Sequence, residues 1–227
     1  MNDKGTTDEY GSPSVFYSKF YKTVIFGKGS VPRLIRKTHQ VMEKPYVGKF
    51  FEKVLEIGGG TGEHLDFVGH TYERYFLTDL VQPVLNTKWE RNPKIICQKA
   101  NAEELPFAND SFDRVLATCL LHHVEKPEKV LQEFLRVLKP NGVGTIFLSC
   151  DPGLAVRLLR SLSTARNAKK NGFQGYNLMI SREHRNHISS LLQMARFIFR
   201  NRNVKTTYYP LRLPSWNLNG YIIIHIS

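Results

Sequence analysis

The segment Val54-Leu55-Glu56-Ile57-Gly58-Gly59-Gly60-Thr61-Gly62-Glu63 constrains this chain more than any other. An apolar run carries an acid and ends in a loop where four of five residues are glycine, and a helical pattern is expected next. Glycines permit positive φ and let a ligand come against bare main chain. A plain strand-to-helix turn needs only one or two of them. Counted from Gly58 and Gly60, the dinucleotide fingerprint GxGxxG needs a third glycine at 63, where Glu63 stands. A phosphate-binding loop continues into Lys-Ser/Thr, and no such pair follows. The spacing present is ExGxGxG, on Glu56, Gly58, Gly60 and Gly62. An acid just before such a loop suits a ligand bearing positive charge, an ammonium or a sulfonium, better than a pyrophosphate.

The surrounding texture sets the fold class. Short apolar runs at Val54–Ile57, Tyr75–Thr78, Ile95–Gln98, Arg114–Cys119 and Val143–Ser149 alternate with helical segments. That rhythm points to a parallel, doubly wound α/β sheet. Pro127–Leu138 reads as a helix, with Val130, Leu131, Phe134, Leu135 and Leu138 as its apolar stripe and Pro140-Asn141-Gly142 stopping it. Arg182–Arg200 reads as one long basic helix. Two further β-rich runs, Val204–Leu213 and Tyr221–Ile226, are expected to pair antiparallel, for seven strands in all. At 227 residues the whole fits one domain, 15–227, divided into a helical cap (15–50), a core (51–150) and a basic last part with the closing hairpin (151–227), with 1–14 expected to be disordered or loosely attached.

At the glycine loop and the segments after it, the sequence resembles the class I S-adenosylmethionine-dependent methyltransferases, especially the small-molecule type. The resemblance covers about residues 50–150 and implies a Rossmann-like, seven-stranded sheet with helices on both faces. It also implies an N-terminal helical lid and a helical insert after the fifth strand. The implied cofactor is S-adenosyl-L-methionine, leaving as S-adenosyl-L-homocysteine. By the same resemblance Glu56, Gly58, Gly59, Gly60 and Gly62 pack against its methionine part, Asp79 takes the ribose hydroxyls, and Leu80 flanks the adenine. Ala100-Asn101-Ala102-Glu103 supplies the adenine contacts, with Asn101 where the family usually has Asp. Thr118 and Cys119 meet the cofactor's amino-acid end, and the run Leu121-His122-His123-Val124 also matches the family.

His123 and His122 leave the fourth strand near the expected methyl position, so His123 is the first candidate for base or acceptor contact. By the same resemblance, the helix carrying Tyr17 and Tyr21, one turn apart, is placed as a lid over the cofactor that closes the active site, with both tyrosines as substrate-binding candidates, or else it is an amphipathic helix packed on the sheet. Arg182, His184 and Arg185 offer a basic, hydrogen-bonding face for it. His184 and His187 lack a third ligand, so no metal is expected, and the isolated Cys97, Cys119 and Cys150 form neither a zinc motif nor a disulfide framework.

Charge is uneven. Residues 1–150 hold 20 Lys/Arg against 18 Asp/Glu, while 151–227 hold 12 against Asp151 and Glu183 alone. A basic last third suits an anionic acceptor, a nucleic acid or an acidic membrane surface, and equally a solvated face. The expectation is therefore methyl transfer to an O or N atom of a small, anionic acceptor. Its rivals are an RNA methyltransferase and a non-catalytic scaffold of the same fold. No apolar stretch is long enough to span a bilayer, and no signal or transit pattern opens the chain. The expected setting is cytoplasmic, as a monomer or homodimer, with membrane contact only peripheral through the basic helix.

Overall fold

The computed structural model describes residues 10–227. Its central strands bury both faces, which is why they read as nearly continuous apolar runs. In β1 (Phe50–Ile57), Leu55 and Ile57 enter one core and Val54 the other. The same alternation recurs in β4 (Phe112–Thr118), β5 (Leu138–Ser149) and β7 (Tyr221–Ile226). With β2 (Thr71–Asp79), β3 (Ile95–Lys99) and β6 (Val204–Tyr209) they form one sheet in the order β3-β2-β1-β4-β5-β7-β6. β1 to β5 are parallel, and β7 runs antiparallel between β5 and β6, so the expected seven strands and closing hairpin are present.

Helices cover the two faces. α2 (Ser30–Glu43) places Met42 in the core that contains Val54, Leu77 and Phe147. The opposite face is closed by α3 (Pro127–Val137) and α6 (Ile188–Ile198), through Val130, Leu131, Phe134, Leu191 and Leu192. The remaining helices build a cap. α1 (residues 13–25, with one wide turn at Phe16–Phe20) packs on α4 (residues 154–170, with a similar turn at Arg160–Thr164) and on α5 (Tyr176–Glu183). Their shared core holds Phe16, Val24, Ala168, Phe173, Tyr176, Met179 and Ile180. Phe16 lies 5.1 Å from Phe173 and 5.3 Å from Tyr176 between ring centroids. The N-terminal helix and the insert, expected as separate features, are thus one cap.

Several elements differ from expectation. Of the stretch 1–14, residues 1–9 lie outside the described residues, while Gly11 donates to the Gln174 carbonyl at 3.1 Å and α1 begins at Pro13. After the glycine loop stands one 3₁₀ turn, Glu63–Phe67, because the chain must enter β2 at Thr71. The connections β2–β3 and β3–β4 are turns. The single helix expected over Arg182–Arg200 is two, α5 and α6, because tertiary bonds capture residues 184–187. Asp151 holds His184 Nδ1 at 2.6 Å and accepts from the Ile188 N–H, and the Asn186 amide donates to the Leu121 and Val124 carbonyls. β6 stops at Tyr209, since Pro210 has no N–H to continue the ladder.

Candidate active site

The glycine loop leaves the carboxyl end of β1 where the strand order reverses between β1 and β4, the crevice at which open α/β sheets bind ligands. Gly58 and Gly60 lie in the left-handed region, at φ +71° and +56°. A Cβ on Gly58 would stand 2.7 Å from Leu120 Cδ1, whereas one on Gly60 would meet only Glu63 Oε2, at 3.8 Å. The main chain at Gly60 is therefore bare toward the cavity. Asp79, ending β2, ties the loop down: Oδ2 accepts the Gly60 N–H at 3.0 Å and Oδ1 the Val81 N–H at 3.3 Å. Glu56 is 1% exposed and accepts the Tyr75 hydroxyl on Oε2 at 2.7 Å. Burial raises its pKa, against the opposing pull of His64 and that hydroxyl.

These groups open onto a cavity of about 1030 Å³. Its wall includes Glu56, Gly58, Gly59, Gly60, Asp79, Leu80, Asn101, Ala102, Glu103, Thr118 and Cys119. Gly62 is not on the wall: its φ is +78° and a Cβ would stand 2.9 Å from both Leu65 Cδ1 and Leu85 Cδ2, so it serves the turn. Asn101 Oδ1 accepts the Glu103 N–H at 3.0 Å, which fixes this short turn against the wall. Cys119 is a non-glycine residue at φ +53°, held by its N–H to the Phe147 carbonyl. Burial pushes its thiol up to about 12, so it stays a neutral wall group. Buried and loop-bound carboxylates, bare backbone and a strand-end acid fit a sulfonium ligand with an ammonium and a ribose diol.

The cap and the segment after β4 supply much of the rest of the cavity wall. Tyr17 and Tyr21 line the cavity with ring centroids 5.4 Å apart, joined by Tyr176, Ile180 and Tyr221. His123 lines it too, its Nδ1 3.8 Å from Glu183 Oε2, and His184 packs edge-on against it at 4.9 Å. Burial, then His184 and His122, lower the His123 pKa to about 3, so its ring is neutral at ordinary pH. Asp151 fastens this side: its carboxylate binds His184 and Arg160. Burial alone would raise its pKa, but these two partners outweigh it and hold it at about 2.

Two expected acceptor-side residues stand elsewhere. His122 is fully buried and not on the wall, because its Nδ1 donates to the Asn186 carbonyl at 2.8 Å. Arg182 is exposed on the outside of α5, whereas His184 and Arg185, in the break after it, do line the cavity. Of the Lys and Arg residues after 150, only Arg160 and Arg185 reach the wall, which they share with Glu56, Glu63, Asp79, Glu103, Glu125 and Glu183. The positive charge of the last third is thus mostly on the outside.

Sequence reasoning missed a buried polar cluster behind the loop. Arg114 of β4, fully buried, pairs with both oxygens of Glu43, and its guanidinium lies 3.8 Å from the Tyr46 ring centroid. His64 Nε2 donates to Glu43 Oε1 at 3.0 Å, and His39 Nδ1 stands 2.8 Å from His64 Nδ1. Burial would raise the Glu43 pKa, but His64, His70 and Arg114 hold it well below the usual carboxylate range. Since His39 and His64 line the cavity, the cluster is part of its floor. The missed residues come from separate elements, and only a charged residue inside an apolar strand, Arg114, hinted at it.

Comparisons agree with this geometry. Residues 55–146 match a family described as a methyltransferase domain. The mitochondrial arginine-hydroxylase NDUFAF5 of Mus musculus is 32% identical over 132 residues, 56% of this chain and 37% of that protein. The ubiquinone/menaquinone biosynthesis C-methyltransferase UbiE of Vibrio campbellii is 34% identical over 100 residues, 40% of this chain and 39% of that protein. The chain therefore spans under two fifths of the length of these curated relatives. Among solved structures, an S-adenosylmethionine-dependent methyltransferase from Thermotoga maritima superposes with a TM-score of 0.59 at 17% identity, over 94% of this chain and 98% of that one. Phosphoethanolamine N-methyltransferase 2 of Haemonchus contortus, solved with S-adenosyl-L-methionine, gives 0.58 at 13% identity, over 93% of this chain and 58% of that one. At these identities the structures speak for the shared fold.

Proposed function

We propose that the chain, whose residues 55–146 match a methyltransferase domain, uses S-adenosylmethionine to transfer a methyl group to an O or N atom of a small acceptor. The acceptor has an apolar body and an anionic end. The observation that carries this reading is that the loop of Glu56, Gly58 and Gly60 and the neutral His123 share one cavity. At about 1030 Å³ it is at the upper end of ordinary ligand sites, with room for cofactor and acceptor together.

When bound, S-adenosylmethionine supplies an electrophilic methyl on a sulfonium. Glu56, Asp79 and the bare backbone at Gly60 hold it at the end of β1. Tyr17, Tyr21 and Tyr176 take the acceptor's apolar body and exclude water. Arg185, with His184 and Arg160 beside it, receives the anionic end. The Glu183 carboxylate, 3.8 Å from Nδ1, favours the His123 tautomer with its proton there, leaving Nε2 to accept a hydrogen bond from the acceptor's O–H or N–H. His123 thereby orients the nucleophile.

The test is methyl transfer from labelled S-adenosylmethionine to a panel of amphiphilic hydroxy and amino acceptors with and without a phosphate or carboxylate. His123→Ala is expected to lower kcat by about 10²-fold or more, while the affinity for S-adenosylhomocysteine stays as in the wild type. An unchanged kcat removes His123 from the reaction. Equal turnover of acceptors with and without the anionic group removes Arg185 from acceptor choice.

A further inference from the structure

The outer face of α4 is the least expected surface of this protein. Leu154, Leu158 and Leu162 recur every four residues, which aligns them along one side of the helix, and they are 65%, 57% and 52% exposed. Arg157, Arg166, Lys169 and Lys170 are exposed beside them, and residues 152–182 contain no Asp or Glu. The loop 210–218 abuts the start of the helix, where the Ala155 N–H donates to the Asn217 carbonyl at 2.9 Å. It adds half-exposed Leu211, Leu213 and Leu218 and the exposed Arg212. Single surface leucines need no explanation, but a continuous row rimmed by cations marks an interaction surface.

We infer that this face docks the protein on an anionic lipid bilayer. α4 lies along the headgroup boundary, with its leucines toward the acyl chains and its Arg and Lys against lipid phosphates. A second copy of the chain is a poorer occupant. Two-fold pairing through this face would set the same cations against one another, with no acid between 152 and 182 to pair them. No helix among the described residues is long and apolar enough to cross a membrane, so the contact is peripheral. The inner face of the same helix, at Val156, Leu159, Arg160 and Thr164, is a wall of the cavity. Docking therefore brings that wall to the interface where an amphiphilic acceptor is met, a consequence that rests on the methyltransferase reading although the docking itself does not.

The test is co-sedimentation of the full chain with vesicles of phosphatidylcholine alone and of phosphatidylcholine mixed with phosphatidylglycerol. Binding is expected on the mixed vesicles, weaker on the zwitterionic ones, and reduced by salt. L154S/L158S/L162S is expected to bind the mixed vesicles about tenfold more weakly or worse, for the apolar area withdrawn. R157Q/K169Q is expected to lose about fivefold per cation. Both variants alter exposed positions only, and both should keep the wild-type melting temperature and affinity for S-adenosylhomocysteine. Failure to bind either vesicle, or wild-type binding by the leucine variant, overturns the proposal. So does a wild-type dimer that the leucine variant dissociates, which assigns the face to a second copy. So does binding of tRNA that survives the leucine changes while vesicles are not bound. Vesicle and S-adenosylhomocysteine binding are read separately, so failure of one reading does not mimic failure of the other.

Discussion

Replacing Gly60 by valine separates the ligand-binding purpose of the loop from its folding. Gly60 sits at φ +56°, where an ordinary L-residue is strained by about 1–2 kcal/mol and a β-branched one by somewhat more. The empty protein adds no clash, because the new Cβ meets only Glu63 Oε2 at 3.8 Å. For a chain of this length, that strain corresponds to a fall in Tm of about 2–8 °C. If the cofactor binds as proposed, the new side chain instead takes up its space. Overpacking of about 1–3 kcal/mol translates into a loss of about 5- to 150-fold in affinity for S-adenosylmethionine. Gly58→Ala is the contrast: its Cβ would stand 2.7 Å from Leu120 Cδ1, so its damage falls first on stability. Differential scanning fluorimetry gives the Tm, and calorimetry on the folded variant gives the affinity. Folded Gly60→Val protein with wild-type affinity would refute the argument that the backbone at Gly60 faces the cofactor.

Other expectations follow from the same geometry. Asp79→Asn keeps an acceptor for the Gly60 N–H but loses the charge, so calorimetry should show cofactor affinity reduced about tenfold with the fold intact; an unchanged affinity removes Asp79 from the site. Arg114→Met takes the guanidinium from the buried Glu43 and leaves it only His64 and His70, and should cost about 3–5 kcal/mol. The double variant with Glu43→Gln should recover part of that loss in urea titrations, and additive losses would contradict the pairing. His122 and His225 have pKa values lowered to about 4, chiefly by burial. The unfolded chain binds these protons first, so their stabilising contribution is complete above pH 6.5 and is lost as pH falls toward 4, at up to about 1.4 kcal/mol per unit for each histidine. Urea midpoints at pH 7 and pH 5 test this; equal midpoints would contradict it.

The loop side of the cavity wall was legible in the sequence because its information is local. Gly58, Gly59, Gly60, Glu56 and the acid at the end of the next strand are set by a strand-to-loop geometry that few residues can satisfy, and they fall on one cavity wall together with Asn101 and Cys119, while Gly62 serves the turn. The acceptor half depends on tertiary bonds, which leave little trace in spacing. Asp151, Arg160 and His184 meet from three segments, and the same contacts break the helix expected over Arg182–Arg200. Periodicity also could not tell inner from outer arginines on α4, where Arg160 turns inward and Arg157 outward. The cluster of Glu43, His64, His70 and Arg114 was equally hidden, since its members come from separate segments and meet only through tertiary packing.

The most direct test of the central claim is calorimetric titration of the full chain, freed of nucleic acid, with S-adenosylmethionine and S-adenosylhomocysteine. The geometry of Glu56, Gly60 and Asp79 predicts one site per chain with dissociation constants on the order of micromolar for both ligands. Folded protein that binds neither would contradict the account.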